Sequence, residues 1–324
     1  MTLPALPTPE DFARAVATLR DGGLVAFATE TVYGLGADAH NEAAVRRVFA
    51  LKGRPAAHPV IVHLHDATHV GEWVSHLPAV AQRLAAAFWP GPLTLVLPRA
   101  VAVSDVITGG QATVALRVPS HPVARALLAA LGSGIVAPSA NRYGHISPTS
   151  AAHVRAEFGD DVQVLDGGDC EVGLESTIVA CLHDTVQLLR PGGITLAQLQ
   201  AVAGPVDAAA GEDAPRVPGS TQQHYAPRTA LQLVDETALL AQVQAVLSRG
   251  ERVGVLARGA RPAAVAVTRW IQAPAAAAAY GHDLYANLRE LDASGCTQLL
   301  AVAAPEGEAW DAVRDRLGRA AAAA

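Results

Sequence analysis

The chain has 324 residues, of which 51% are hydrophobic and 17% charged, and its formal net charge is −6. This length predicts two domains, and the hydrophobic fraction supports well-filled cores. The negative net charge argues against a protein whose whole surface binds nucleic acid, although it is compatible with a local basic cleft. The three cysteines, Cys170, Cys181 and Cys296, are scattered and odd in number, which argues against a disulfide framework and a zinc ribbon.

The N-terminus lacks the basic segment and apolar core of a signal peptide. No run approaches the roughly eighteen apolar residues that a membrane span requires. We therefore expect a soluble, cytoplasmic protein with no membrane contact.

Helices and strands alternate along the first two-thirds of the chain. A helix begins at Thr8 and Pro9, and a strand over 24–28 leads into the glycine-rich loop 29–36. Asn41 caps a helix that reaches Lys52. Further strands are predicted over 60–64, 93–97, 113–117, 134–137, 162–166, 175–181 and 186–190, with helices over 67–74, 79–88 and 120–132, after 147–149 and from 195.

The composition changes after this region. Residues 205–227 are rich in glycine, proline, alanine and acids and predict a linker long enough to form a lid. Beyond it, strands over 230–234, 252–257, 265–271 and 297–303 alternate with helices over 237–249, 275–291 and 308–317. We expect a catalytic domain over 1–204 and a small Rossmann-like α/β domain over 228–324.

Polar side chains gather at the ends of the predicted strands, where α/β proteins place ligand-binding groups. They are Thr31, His63, Thr113, Arg117, Ser139, Asn141, Ser176 and Arg190. Cations and hydroxyls dominate, and no persuasive acid–base pair, nucleophile triad or metal cluster accompanies them. This chemistry favours a reaction in which the protein positions an anionic substrate and stabilises negative charge, as in phosphoryl or nucleotidyl transfer.

Lys52 is the only lysine in the chain, beside 23 arginines. One interpretation is that the single lysine belongs to a site that needs a compact point charge. The other, equally consistent with the sequence, is that Lys52 only ends a helix, where a cation interacts favourably with the helix dipole. Each of Arg117 and Arg190, considered alone, could equally form a surface ion pair instead of binding a ligand. Ser139, Asn141 and Ser176 likewise fit caps and turns.

Two other kinds of site are disfavoured. The histidines form no His-Glu-x-x-His pattern and have no cysteine nearby, so we expect no metal held by protein ligands. They are His58, His63, His65, His69 and His76. A Walker-type phosphate loop is also missing, so a nucleotide would be held in another way.

Five segments of the chain form an ordered set of motifs: TETVYGLG at 29–36, KGRP at 52–55, APSAN at 137–141, ESTIV at 175–179 and LRPG at 189–192. In their order and spacing they resemble the YrdC/Sua5 family of L-threonylcarbamoyladenylate synthases. The resemblance covers about residues 8–205. The segment HYAP at 224–227 and the C-terminal α/β layer resemble the long, two-domain Sua5 branch.

The resemblance implies a twisted mixed sheet with a concave cationic face. It also implies a nucleotidyltransferase: L-threonine and bicarbonate give N-carboxythreonine, which attacks the α-phosphorus of ATP to form threonylcarbamoyl-AMP and pyrophosphate. The product feeds N6-threonylcarbamoyladenosine formation in tRNA, which implies a downstream threonylcarbamoyl transferase as partner and leaves a direct tRNA contact open.

The resemblance also implies roles for individual residues. Lys52 and Arg54 are the expected catalytic residues. L-Threonine would be bound by Thr31, His63, Arg117, Ala137 and Ser176. ATP would be bound by Arg54, His58, Thr113, Ser139, Ser147, Arg190 and Tyr225. Mg²⁺ is expected to bind mainly through ATP, with no protein ligands of its own.

The chain departs from the family pattern twice. His58 stands where the family usually has asparagine, which makes its phosphate contact sensitive to protonation. The linker keeps Pro218-Gly219 and His224-Tyr225 but lacks the family's basic and first aromatic positions, so closure over the nucleotide by Tyr225 is a hypothesis.

Two alternatives remain beside the synthase. An RNA-binding module of this fold without synthase activity is disfavoured by the net charge and by an aromatic content of only 4%. Carbamoyl-adenylate chemistry of the hydrogenase-maturation type would need paired-cysteine zinc fingers, which the three scattered cysteines cannot form.

Overall fold

The computed structural model describes residues 6–182, 185–208, 211, 214–219, 224–263 and 265–322. The chain divides into two compact units. The N-terminal unit comprises Met1–Tyr143 and Pro148–Ser220, and the C-terminal unit comprises Gly144–Ser147 and Thr221–Ala324. The short segment Gly144–Ser147 groups with residues far along the chain, which a division by sequence position could not anticipate. The domain bounds expected from the sequence remain a prediction.

The N-terminal unit is built from short strands and medium-length helices. Its strands are β1 (Val25–Phe27), β2 (Gly34–Asp38), β3 (Ile61–His63), β4 (Leu93–Pro98), β5 (Thr113–Arg117), β6 (Ile135–Val136), β7 (Gln163–Leu165), β8 (Thr177–Leu182) and β9 (Thr185–Arg190). Its helices are α1 (Pro9–Arg20), α2 (Glu42–Lys52), α3 (Ala79–Phe88), α4 (Asp105–Thr108), α5 (Pro122–Leu131), α6 (Ala151–Phe158) and α7 (Leu196–Ala203).

In the described part of the chain these strands form one nine-stranded sheet in the order β7-β1-β2-β6-β3-β5-β4-β8-β9. The pairs β1–β7, β3–β5 and β4–β8 are parallel, and the other neighbours are antiparallel. The mixed sheet predicted for the first domain is therefore confirmed.

The two faces of this sheet are covered differently. One face packs against α2, α3 and α7 in the largest core cluster. On the other face α1 and α5 cover the half that contains β1, β6 and β7. The remaining half, over β3, β4, β5 and β8, carries a small apolar cluster that Val217 joins. The helices thus leave one half of a sheet face to be lined by other residues.

The largest local difference from the sequence prediction lies in the glycine-rich segment. Its second half is the strand β2, with Gly34 paired to Phe27 and Gly36 to Val25. A Cβ added at Gly36 would lie 2.8 Å from the Phe27 ring and 3.0 Å from Ile135, so glycine lets these side chains pack directly over the strand. The glycines of this segment suggest a loop in the sequence, but in the structure they allow neighbouring side chains to pack closely against a strand.

Two smaller differences concern helices. The segment predicted as a helix over 67–74 is a 3-10 helix, Ala67–Glu72, which Asp66 caps through its side chain. The short helix α4 was not predicted, because four residues are too few to show a periodic pattern.

The C-terminal unit is a smaller α/β layer. Its strands are β10 (Leu231–Val234), β11 (Val253–Ala257), β12 (Arg269–Gln272) and β13 (Gln298–Val302), and its helices are α8 (Leu239–Ser248), α9 (Ala277–Asp292) and α10 (Asp311–Ala321). The described strands pair in parallel in the order β10-β13-β11-β12. This confirms the Rossmann-like layer. The strand predicted over 265–271 is confined to β12.

Among the described residues, no helix combines the length and apolarity needed to cross a membrane.

Candidate functional site

Most of the predicted site residues on strands lie side by side in the half of the sheet that α1 and α5 leave uncovered. His63 pairs directly with Arg117 across β3 and β5. On the next strand Leu95 pairs with Leu116, which places Thr94 beside Arg117. Thr94 Oγ1 lies 2.7 Å from Ser176 Oγ, and Arg190 Nη2 donates to the same Ser176 oxygen at 3.2 Å. We call His63, Arg117, Thr94, Ser176 and Arg190 the strand row.

Arg117 is buried, with its side chain 5% exposed, and forms an ion pair with Glu30, which is 3% exposed. Its Nη2 donates to Glu30 Oε1 at 2.7 Å and its Nε donates to the carbonyl of Gly91 at 3.3 Å. Glu30 Oε2 accepts the backbone N–H of Ser120. Burial opposes ionisation of Glu30, but the charge and hydrogen bond of Arg117 hold the pKa of the carboxyl below its usual value.

His63 is buried beside this ion pair and packs edge-on against Phe27, with ring centroids 6.4 Å apart. Burial, followed by the charge of Arg117, lowers the pKa of His63 to about 3. The imidazole is therefore neutral at ordinary pH. Its Nδ1 has no hydrogen-bond partner among the described residues, so the strand row contains one buried polar atom that a ligand could satisfy.

The Arg190 end of the row depends on a close contact between two chain segments. Arg190 Nε and Nη2 donate to the backbone carbonyl of Ser176, and Nη1 donates to the carbonyl of Pro218. A Cβ on Gly192 would lie 2.3 Å from the backbone nitrogen of Thr177, so only glycine allows the turn after Arg190 to pack here. This explains why the two motifs at 175–179 and 189–192 belong together.

Lys52 is also buried, at 3% exposure, and its ammonium faces a loop. Its Nζ donates to the backbone carbonyls of Ser139 and Asn141, each at 2.5 Å. Burial, followed by the charge of Arg54, lowers the pKa of Lys52 well below its usual value. In these contacts Lys52 holds the 138–141 loop in place, and its catalytic role remains a prediction.

Arg54 and His58 meet at Tyr143. Arg54 lies over the Tyr143 ring, with 5.9 Å between the guanidinium carbon and the ring centroid, and its Nη2 donates to the carbonyl of Pro59. Tyr143 Oη lies 3.2 Å from His58 Nδ1. Burial, followed by the charges of Arg54 and Arg216, lowers the pKa of His58. Two of the residues expected to bind phosphate thus share one aromatic neighbour.

The other predicted residues of the N-terminal unit occupy separate positions. Thr31 is fully buried, with its Oγ1 2.9 Å from that of Thr29. Ala137 donates its backbone N–H to the carbonyl of Ile61, at the start of β3. Thr113 begins β5 opposite Pro98 and is half-buried, and Ser139 forms an isolated bridge with Gly34.

Ser147 and Tyr225 belong to the C-terminal unit. Ser147 is fully buried and its carbonyl accepts from Arg289 Nε at 3.5 Å. Tyr225 is 1% exposed, has a positive φ of 63° and stacks near Tyr285, while the guanidinium of Arg316 lies 5.3 Å from its ring. Its predicted contact with nucleotide remains a prediction.

Residues 214–219 of the predicted linker contact the uncovered sheet half. Val217 is 6% exposed and packs with Ile61, Ala115 and Ile178. Ile61, Ala115 and Ile178 each lie two positions along the chain from a member of the strand row, so Val217 packs on the face that carries the row. Arg216 donates to the carbonyl of Gly109 at 3.0 Å. The altered linker positions 220–223 lie outside the described residues.

Sequence reasoning missed three residues of this site. Glu30 lies inside a quoted motif, where it is the only acid, and Thr94 is the only polar residue of an apolar strand. Tyr143 follows the 137–141 motif by two residues. The first two carried a readable signal, since a lone polar group in an apolar setting is rarely without a partner. The contacts of Tyr143 depend on the tertiary fold.

The described residues contain no group of three or more His, Cys, Asp or Glu side chains that could hold a metal ion. The site residues described above are mainly cations, hydroxyls and backbone groups, and Glu30 is already paired with Arg117. This donor set suits an anionic ligand.

Comparison with known proteins covers nearly the whole chain. A family model of the Sua5, YciO and YrdC proteins, described as telomere recombination, matches residues 17–192. A second model, described as the C-terminal domain of threonylcarbamoyl-AMP synthase, matches residues 194–322.

Two curated relatives are named threonylcarbamoyl-AMP synthase. The Bacillus subtilis protein is 40% identical over 323 residues, covering 95% of this chain and 92% of its own. The Pyrococcus abyssi protein is 37% identical over 318 residues, covering 94% and 92%. A crystal structure of P. abyssi Sua5 complexed with L-threonine matches with a TM-score of 0.88 and 36% identity, over 96% of this chain and 94% of that one.

Proposed function

Because the chain belongs to the Sua5/YciO/YrdC family and carries the Sua5 C-terminal domain, we propose that it is an L-threonylcarbamoyl-AMP synthase. It is an enzyme of the AMP-transferring, nucleotidyltransferase type, as its full-length relatives are. Its substrates are L-threonine, bicarbonate and ATP, and its products are threonylcarbamoyl-AMP and pyrophosphate.

The observation that carries this proposal is the strand row, whose cations and hydroxyls line one sheet face without an acid–base pair. Such a row can bind a small zwitterion, such as an amino acid, with a polyanion such as ATP beside it. A relative of 36% identity has been crystallised with L-threonine, which supports the amino acid as the zwitterion.

In this proposal Arg117 binds the threonine carboxylate. Glu30 and Gly91 occupy Nη2 and Nε of its guanidinium, and no hydrogen bond among the described residues uses Nη1. A carboxylate at Nη1 would gain a charge-assisted hydrogen bond from a fixed donor. Neutral His63, with Thr31, Ser176 and the Ala137 backbone, would contact the amine and hydroxyl of the substrate.

Arg54, His58 and Arg190 bind the ATP phosphates, with Thr113 and Ser139 completing the nucleotide site of the N-terminal unit, while the nucleotide contacts of Ser147 and Tyr225 remain predictions. Lys52 holds the 138–141 loop against this region through two carbonyls. Magnesium, when bound, would be held mainly by ATP and would neutralise part of the phosphate charge beside Arg54, His58 and Arg190.

The chemistry then proceeds in two steps. The threonine amine attacks bicarbonate, and loss of water gives the N-carboxylate. An oxygen of that carboxylate attacks the α-phosphorus, and the bond to the β-phosphate oxygen breaks to release pyrophosphate. Arginines fixed at the site stabilise the negative charge that builds up on the phosphates. The correct positioning of the substrates accounts for the rest of the rate acceleration. The adenylate then serves a tRNA threonylcarbamoyl transferase.

The test is pyrophosphate release from ATP by the purified protein, with L-threonine and bicarbonate together and with each omitted in turn. We expect release only with both. Arg54→Ala and Lys52→Ala should reduce release at least tenfold, while Arg46→Ala, an exposed arginine in α2, should leave it unchanged. Release that does not depend on threonine, or salt-sensitive tRNA binding without turnover, would overturn the proposal.

A further inference from the structure

Tyr143 makes three contacts that nothing in the family motifs predicts. Its ring lies against the Arg54 guanidinium, and its hydroxyl lies 3.2 Å from His58 Nδ1. Its backbone N–H donates to the carbonyl of Lys52 at 2.7 Å. One half-buried residue therefore contacts Arg54 and His58, which the proposed function assigns to ATP, and also the backbone of Lys52.

The hydroxyl contact is made to Nδ1 of His58, and its direction depends on which nitrogen of the imidazole carries the proton. Because burial and the charges of Arg54 and Arg216 lower its pKa, His58 is neutral at ordinary pH. A neutral imidazole has one donor and one acceptor nitrogen. When the phenol donates to Nδ1, the proton must sit on Nε2, where it can be donated to a phosphate oxygen.

We propose that Tyr143 is a nucleotide-positioning residue, which holds His58 as an Nε2–H donor and fixes the Arg54 guanidinium beside it, both toward the phosphates of ATP. This inference rests on the proposed function, because it takes Arg54 and His58 as the phosphate-binding pair. It also gives the histidine found in place of asparagine a defined role: an amide always presents an N–H donor, whereas an imidazole needs a neighbour to select one.

The pH dependence follows from this arrangement. The charged groups that face His58 are Arg54 on the loop after α2 and Arg216 on the 214–219 segment. Once His58 is protonated, both of its nitrogens carry hydrogen and no neighbour is needed to select the donor. The contribution of the Tyr143 hydroxyl should therefore shrink as the pH falls.

The experiment measures the dissociation constant of ATP by calorimetry between about pH 8 and about pH 5, on either side of the ordinary histidine pKa. The proteins are the unsubstituted chain, Tyr143→Phe, His58→Asn and the double variant. Tyr143→Phe keeps the ring over Arg54 and changes no charge. Binding of L-threonine by each protein serves as the internal control.

We expect Tyr143→Phe to bind ATP about three- to tenfold more weakly near pH 8, the range for one lost hydrogen bond, and we expect this loss to become smaller as the pH is lowered. The substitution should have no further effect on His58→Asn, and threonine binding should change less than about twofold. Because each ratio compares proteins at the same pH, titration of ATP itself cancels.

An unchanged ATP affinity, a loss that is equal at every pH, or a loss that adds fully to that of His58→Asn would overturn the inference. These readouts need no turnover, so a chain that binds ATP but releases no pyrophosphate would refute the proposed function separately. A chain that binds no ATP would overturn both.

Discussion

At the scale of single residues, the charges of this protein are placed in an unusual way. As whole residues, Arg54, Arg117 and Arg190 are 6%, 4% and 3% exposed. The alternative interpretation of Arg117 and Arg190 as surface ion pairs is therefore wrong. Buried cations need fixed partners, and here Glu30 and backbone carbonyls provide them. The same partners hold each guanidinium in one orientation, which suits a site that works by positioning.

The first residue-scale prediction concerns Glu30. Replacing Glu30→Gln keeps the shape but leaves the buried Arg117 charge without its counter-charge, so the free energy of unfolding should fall by about 3 kcal/mol. The apparent KM for L-threonine should rise together with this loss, because the Arg117 fork is no longer fixed. Urea unfolding and initial-rate kinetics measure the two effects.

The control for this prediction is Glu236→Gln, which removes the charge from the more exposed pair with Arg258. Such a pair contributes about 0–1 kcal/mol, so this variant should unfold almost as the unsubstituted protein does. Equal losses in the two variants would mean that the Glu30 charge is not the stabilising feature.

The second residue-scale prediction concerns acid stability. The pKa of His63 is about 3 in the folded state and 6.5 for a free imidazole, so the unfolded chain takes up this proton first as the pH falls. The free energy of unfolding should therefore decrease below pH 6.5, by about 2 kcal/mol at pH 5, and this loss should level off near pH 3. Urea unfolding at a series of pH values measures it.

His63→Asn has no imidazole at this position and should lack this component of the acid sensitivity. His76→Asn, the same replacement at an exposed histidine, serves as the matched control and should keep it. If His63→Asn loses stability with acid as steeply as the control, the buried imidazole is not the group responsible.

At the scale of elements, the 214–219 segment is the least expected contributor to the N-terminal unit. A sequence without periodicity predicts a linker, yet Val217 packs on the sheet and Pro218 accepts a hydrogen bond from Arg190. A single branched apolar residue between Arg216 and Pro218 carries too little pattern to reveal this docking. Most strands of the sheet, in contrast, were readable because each is a short apolar run; the glycine-rich β2 is the exception.

The element-scale prediction tests the docking of this segment. Val217→Ser removes most of the apolar contact and should make trypsin cleave after Arg216 about tenfold faster, since cleavage needs the segment to leave the sheet. The fragments can be followed by mass spectrometry. Val101→Ser, at a fully exposed valine, should leave the cleavage rate unchanged. Equal rates in both variants would show that Val217 does not hold the segment.

At the scale of the whole molecule, the net charge of −6 and the burial of the site arginines both argue against RNA binding. Binding to RNA by counterion release needs exposed cations along a surface, whereas Arg54, Arg117 and Arg190 face inward. The RNA-binding alternative therefore loses the cationic residues on which it would depend. The C-terminal unit adds no charge imbalance, since arginines and acids are equally numerous over 228–324.

The sequence by itself determined the fold class, the order of the main elements and the family, because these follow from local apolar patterns and from motifs of adjacent residues. It also identified His63, Arg117, Ser176 and Arg190 as candidates, since each lies at the end of a readable strand. Only the tertiary structure decided the partners: Glu30 for Arg117, Thr94 for Ser176, the 138–141 loop for Lys52 and Tyr143 for His58. The physical reason is that these contacts join residues as many as 89 positions apart, through sheet register and burial that no local pattern encodes.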